Sequence, residues 1–358
     1  MADNPLLASL HDAPQHGPRP LPLFLEIARE QLQHDPEALA ELLTGLERFQ
    51  QATRSAPASD AAIIDAQGPV QLTRCNSRDL SQPLDIILVP SPINAPQILD
   101  MVEGRSLIGH LETQGLACGL VNWGAITPDR GMEDATTFAR DYLRPLLQRQ
   151  QQPVHLIGYC LGGLLALTAA SIADVRSLTL IASPWNFAGY GDDRRADIQQ
   201  LWQRSREQCQ YLRVAPIELI QQGFWSLDQR RVVQKYRAFA RMDADSTESA
   251  IFIAIEDWAN GGEPLPFAFA DQLFDDFIAS NIAACGEWTI DGISIGPEAV
   301  NAPVLELLSS TDQITPMATS AGFPNRHVYA GGHVGMVVGR SARHKSWADI
   351  SSWLASNS

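Results

Sequence analysis

From residue 85 to 182 the chain alternates short, mainly apolar runs with longer stretches of helical periodicity. Runs apolar at every position mark strands buried on both faces. They fall at Asp85–Pro90, Ala117–Val121, Val154–Gly158 and Ser177–Ala182. Helical patterns lie between them, near Ser106–Thr113, over Met132–Gln150 and after Gly162. Strands alternating with helices predict an α/β fold: a mostly parallel sheet with helices on both faces. Val70–Cys75 reads as a strand at the sheet edge. Upstream, Leu23, Ile27, Leu32, Leu39, Leu42 and Leu46 recur at helical spacing and predict two helices broken near Asp35-Pro36. Residues 1–21, rich in proline, read as an arm, and 51–60 as a linker.

The alternation stops at Pro184. From there to about Asn281 the pattern is mostly helical and rich in aromatics, among them Trp202, Phe224, Tyr236, Phe252 and Phe274. Nearly a hundred residues between two sheet strands predict an inserted helical cap. Most of its aromatics are expected in the cap's own core, a few along an apolar substrate tunnel. Strands resume at Val304–Leu308 and Asn325–Tyr329, and a last helix is predicted near Trp347–Ala355. The expected organisation is therefore 1–60 (arm and helices), 61–183 (first part of the core), 184–283 (cap) and 284–358 (second part of the core).

The chemistry starts at Gly158-Tyr159-Cys160-Leu161-Gly162-Gly163. An apolar strand, a glycine-rich turn and a helix form a nucleophile elbow with cysteine in the usual serine position. The bland reading is a buried thiol at a strand-to-helix connection. An elbow calls for an acid and then a histidine, each after a later strand. Asp312 follows the Val304–Leu308 run, 152 residues on, and His333 follows the next strand after 21 more. A histidine can take the proton of a thiol and return it near neutrality, and an acid can orient it. An oxyanion would need two backbone donors. Leu161 N–H, after the nucleophile, is the first candidate. The loop Pro90-Ser91-Pro92-Ile93-Asn94 offers the second, and Ile93 is preferred because the prolines carry no N–H.

Composition narrows the function classes. With 26 basic against 41 acidic residues, net charge −15, the chain is unsuited to nucleic acid or anionic lipid. Its five cysteines are widely spaced with no C-x-x-C pair, so neither a zinc site nor a disulfide framework is expected. Met1-Ala2-Asp3-Asn4-Pro5 has no secretory character and no run nears the length of a membrane span, which predicts a cytoplasmic protein.

Several segments resemble the polyhydroxyalkanoate synthases, mainly the shorter type that works with a second subunit. Val89-Pro90-Ser91-Pro92-Ile93-Asn94 through Ile98-Leu99-Asp100 is similar to a V-P-x-x-I-N…I-L-D segment of that family, and Asn122-Trp123-Gly124 to its D-W-G. Gly158–Gly163 resembles its lipase-like box with cysteine, Asp312-Gln313-Ile314-Thr315-Pro316 its D-x-I-x-P, and Gly332-His333-Val334-Gly335 its G-H-I-x-G. Asn122 departs from the usual aspartate, and the cap diverges. The resemblance implies an α/β-hydrolase fold and an acyltransferase that polymerises 3-hydroxyacyl groups from coenzyme A through Cys160. His333 would activate Cys160. Asp312 would support His333 or activate the next hydroxyl. Asn94 and Trp123 would be substrate-pocket candidates. No metal or other cofactor is implied. Partners would be the thioester, the growing polyester, and a second synthase subunit or a second copy, with a site on polyester granules. Two other readings stand beside it: a thioesterase or intracellular polyester depolymerase that uses the same residues, and a non-catalytic granule-associated subunit with an inherited elbow.

Overall fold

The structure, a computed structural model, describes residues 17–54, 61–74, 82–102 and 104–358. Most of the expected arm, most of the expected linker and Cys75 lie outside the described residues. The chain divides into two compact units, one from Met1–Ala56 and Asp228–Asn260, the other from Pro57–Leu227 and Gly261–Ser358.

The larger unit is built on an eight-stranded sheet. Its strands are β1 (Ala62–Gln67), β2 (Val70–Arg74), β3 (Ile86–Val89), β4 (Cys118–Asn122), β5 (His155–Tyr159), β6 (Ser177–Ile181), β7 (Val304–Ser309) and β8 (Arg326–Tyr329). The spatial order is β1-β2-β4-β3-β5-β6-β7-β8. β3, β5, β6 and β7 are buried at every position, which is why their sequences are mostly apolar. From β3 onward neighbours are parallel, whereas β1, β2 and β4 pair antiparallel.

Two differences from the sequence expectation concern the sheet's margin. Val70–Arg74 is the second strand, and Ala62–Gln67 forms the edge outside it. The edge strand mixes Asp65 and Gln67 with alanine and isoleucine and is only partly covered, so it lacks the apolar run of a central strand. Its pairing with β2 is irregular between Ile63 and Asp65, and Arg149 clasps it through Asp65 at 2.9 and 3.1 Å and the Ala66 carbonyl at 3.1 Å. At the other margin, β8 is four residues long and largely exposed.

The strand order reverses beside β3. The chain steps from β3 outward to β4 and returns to place β5 on the opposite side of β3. A crevice opens outside the carboxyl ends of strands at such a reversal. Val89 and Gly158 are register partners there, so the loops after β3 and β5 emerge side by side.

The expected 184–283 cap is not one body. Its flanks, with the helices Asp192–Leu212 and Ile217–Leu227, stay with the sheet unit. The helices Gln229–Ala240 and Thr247–Asn260 instead join Leu21–Leu32 and Pro36–Gln51 in the smaller unit. An aromatic cluster explains the exchange. Tyr236 packs edge-on against Phe24, Phe49 and Phe252 at 5.1, 5.8 and 5.6 Å between ring centres. Its hydroxyl donates to Glu256 at 2.9 Å, and Lys235 neutralises the same carboxylate at 2.8 Å. At Gly45 a Cβ would lie 2.0 Å from the Tyr236 carbonyl oxygen, so only glycine lets the helices approach this closely. Arg48 donates to the carbonyls of Phe239, Ala240 and Met242, where that helix ends.

Candidate active site

Cys160 joins β5 to the helix Leu161–Ile172 with φ +56° and ψ −130°. A non-glycine residue there stores backbone strain of about 1–3 kcal/mol and persists only where its surroundings enforce it. Three contacts do so. The Cys160 N–H donates to the Ile181 carbonyl at 3.0 Å. A Cβ on Gly162 would lie 2.1 Å from the Val89 carbonyl oxygen, and one on Gly163 would lie 1.7 Å from Ser183 Oγ. The first helical turn is thus pressed onto the end of β3. Cys160 is a free thiol at the helix N-terminus, where the helix dipole favours developing negative charge.

The loops after β7 and β8 supply the other two groups. Cys160, Asp312 and His333 are only 8, 4 and 7 % exposed. His333 Nδ1 lies 2.7 Å from Asp312 Oδ2. The same carboxylate accepts from the N–H groups of Ile314 and Thr315 at 2.8 and 3.0 Å and from the Thr315 hydroxyl at 2.8 Å. Burial pushes the Asp312 carboxyl up, but the His333 charge and these hydrogen bonds outweigh it, and its pKa lies below the ordinary value. For His333, burial pushes down while the charges of Asp312 and Cys160 and hydrogen bonds to both push up, leaving it raised to about 10. With Nδ1 turned to Asp312, Nε2 is the nitrogen left for Cys160. The Tyr159 ring lies against the imidazole, 5.1 Å between centres.

Thr315 and Tyr159 were not singled out from the sequence. For Thr315 a signal existed, since an Asp-x-x-Thr turn places a hydroxyl within reach of the carboxylate. For Tyr159 no local pattern marks a ring packed on a distant histidine.

An apolar cavity of about 100 Å³ opens beside the elbow. Cys160, Leu161, Ile93 and Thr315 line its core side, and Phe187, Leu219, Phe224 and Phe274 are among the residues walling it on the cap side. The residues of both candidate oxyanion donors therefore line the same space as Cys160. The first N–H groups of a helix have no intrahelical acceptor, which applies to Leu161. The Ile93 N–H makes only a long 3.3 Å bond to Ser91 Oγ.

Asn94 and Trp123, the two pocket candidates, lie elsewhere and do not line this cavity. β3 stands between β4 and β5, so a residue just after β4 is one strand removed from the elbow. The Trp123 indole donates to the Pro90 carbonyl at 2.9 Å and its ring packs on Phe138 at 5.0 Å, so it anchors the loop that carries Ile93. Asn94 turns towards Gly262, where an added Cβ would lie 3.0 Å from its Nδ2. Asn122 accepts from the Gly124 N–H at 3.0 Å and closes the local turn. His155, at the amino end of β5, bonds Ser177 at 2.8 Å and is lowered to about 4 by burial and the nearby Arg176 charge. A larger hollow of about 710 Å³ lies at those amino ends, between Gln151–Pro153 and Ala302, away from all three candidate catalytic groups. Among the described residues no group of three or more His, Cys, Asp or Glu side chains is arranged to hold a metal, and no helix is long and apolar enough to cross a membrane.

Comparison with known proteins gives this arrangement relatives. A poly(3-hydroxyalkanoate) polymerase subunit PhaC from Haloferax mediterranei is 25 % identical, over 95 % of this chain and 73 % of its own length. The PhaC subunit from Synechocystis is 24 % identical, over 76 % of this chain and 78 % of its own. Among solved structures, a candidate lipase from Sulfolobus solfataricus aligns over 84 % of this chain and all of its own with TM-score 0.51 at 11 % identity, a likeness of fold. VinJ aligns over 85 % of this chain and all of its own with TM-score 0.47 at 14 % identity. The alpha/beta hydrolase family matches residues 106–343, well over half of the chain, and the protein belongs to that family.

Proposed function

We propose that the protein is an acyltransferase that takes 3-hydroxyacyl groups from coenzyme A onto Cys160 and passes them into a polyhydroxyalkanoate chain. The observation that carries the reading is a strained Cys160 that lines an apolar cavity and has a buried Asp312–His333 pair beside it. The polymerase subunits among its relatives direct that chemistry towards polyester. In the first half-reaction the Cys160 sulfur, its proton already held by His333, adds to the thioester carbonyl. The N–H groups of Leu161 and Ile93 receive the oxyanion. The bond to the coenzyme A sulfur then breaks, and His333 returns the proton to the departing thiol. In the second half-reaction a 3-hydroxyl adds to the Cys160 thioester, its proton passing to His333, and the new ester forms as the Cys160 sulfur leaves. Asp312 acts through His333, because three donors besides the imidazole already occupy its oxygens. No metal or redox group enters these steps. A second synthase subunit or a second copy, and a place on polyester granules, belong to the same proposal.

Incubation with 3-hydroxybutyryl-coenzyme A tests it. Free coenzyme A should appear, an acyl mass should be carried on the Cys160 peptide, and Cys160→Ala should lose both. Polymer as product supports the transferase. Free hydroxyacid alone would reassign the site to hydrolysis, and no release with or without an added subunit would refute both.

A further inference from the structure

The cavity beside Cys160 is bounded on its cap side by the helices Asp192–Leu212 and Ile217–Leu227. Leu219, Gly223 and Leu227 recur every four residues on one face of the second helix, and all three line the cavity opposite Ile198 and Leu201 of the first. Gly223 is the one member of that row without a side chain. Glycine inside a helix is unfavourable relative to alanine, so its presence asks for a reason. Neither crowding nor backbone geometry supplies one. A Cβ at Gly223 would meet only Leu201 Cδ2, at 3.8 Å, an ordinary contact, and its φ is not in the left-handed region. What the glycine provides is space.

We infer that Gly223 is a specificity-determining position, the point in the cap-side wall where the alkyl part of a Cys160-bound acyl group finds room. The inference rests on the proposed acyl-carrying role of Cys160. The cavity of about 100 Å³ is small against the several hundred Å³ of a site that takes a large ligand, so it encloses a short chain. A longer chain needs more room, and along the row Leu219–Gly223–Leu227 only the glycine leaves any. Side chains at position 223 therefore set the longest acyl group the site accepts.

Methyl, butyl and octyl methanethiosulfonates test this without relying on turnover. The Cys160 sulfur displaces methanesulfinate and forms a disulfide to the alkyl group, which leaves the chain in the cavity. Labelling rates are read by mass on the Cys160 peptide, apart from the exposed Cys285. Gly223→Leu should lower the octyl-to-methyl rate ratio about tenfold or more, the discrimination that one or two methylenes provide in an apolar pocket, and Gly223→Ala should lower it less. Gly223→Ala improves helix propensity, so its thermal midpoint should equal or exceed that of the parent protein. An unchanged ratio in folded Gly223→Ala and Gly223→Leu overturns the inference and leaves the proposed function standing. Failure of the methyl reagent to label Cys160 in the parent protein overturns both.

Discussion

Cys160 occupies a backbone conformation that suits glycine better than cysteine, and that has a measurable consequence. Cys160→Gly should unfold at higher urea than Cys160→Ala, by about 1 kcal/mol, because only glycine relieves the strain. Equal stability of the two variants would show that the elbow is relaxed. The Asp312–His333 pair makes a second prediction. The His333 pKa is raised, so its contribution to stability is fully present below about 6.5 and is lost as pH rises through about 10. Asp312 is lowered, so its contribution is present above the ordinary carboxylate value of 3.8 and is lost as pH falls below it. The stability gap between the parent protein and Asp312→Asn should therefore be widest between about pH 4 and 6.5 and should narrow towards pH 10. In the same variant the His333 titration followed by NMR should move to lower pH, since the carboxylate charge is the foremost influence that raises it. At this scale the sequence was most readable where order carries information. A cysteine at an elbow, then an acid, then a histidine, each after a strand, could be named from the chain alone. Thr315 and Tyr159 could not, since their parts depend on how the loops after β7 and β5 come to lie beside His333.

Among the elements, apolar runs gave β3 to β7 clearly, because strands covered on both faces keep few polar positions to blur the pattern. β1 escaped notice because its half-covered, partly polar sequence resembles a loop. The division of the cap was also illegible. Amphipathic periodicity shows that a helix covers one face, and it does not show what lies under that face. Thus Gln229–Ala240 and Thr247–Asn260 could be called helices without revealing that the ring of Tyr236 joins them to Phe24 and Phe49. Phe49 is fully buried in that cluster, and Phe49→Ala should destabilise the smaller unit by about 3–5 kcal/mol. Hydrogen exchange at amides of the helices Pro36–Gln51 and Gln229–Ala240 would report the loss. The helix after the elbow is equally tight. Gly162→Ala forces a methyl against the Val89 carbonyl and Pro90, so about 1–3 kcal/mol of stability should be lost. Cys160 labelling by iodoacetamide should slow with it, because the same shift displaces the loop that carries Ile93. Labelling at the parent rate would show that the helix start and that loop move independently.

For the whole molecule, the sheet topology is what converts distant residues into one site. Cys160, Asp312 and His333 are far apart in the chain, and a run of parallel strands delivers them to one edge. That arrangement was foreseeable from the alternation of strands and helices, whereas the partition into two units was not. The two margins of the sheet bear on a different property. An unpaired strand edge offers a template for another chain. Here one margin carries the irregular pairing near Ile63 and the Arg149 clasp, and the other is a short strand bearing Arg326 and His327. Both are the devices by which β-proteins resist edge-to-edge aggregation. A charge of −15 adds repulsion between copies, so both the margins and the net charge work against stacking of one sheet edge on another.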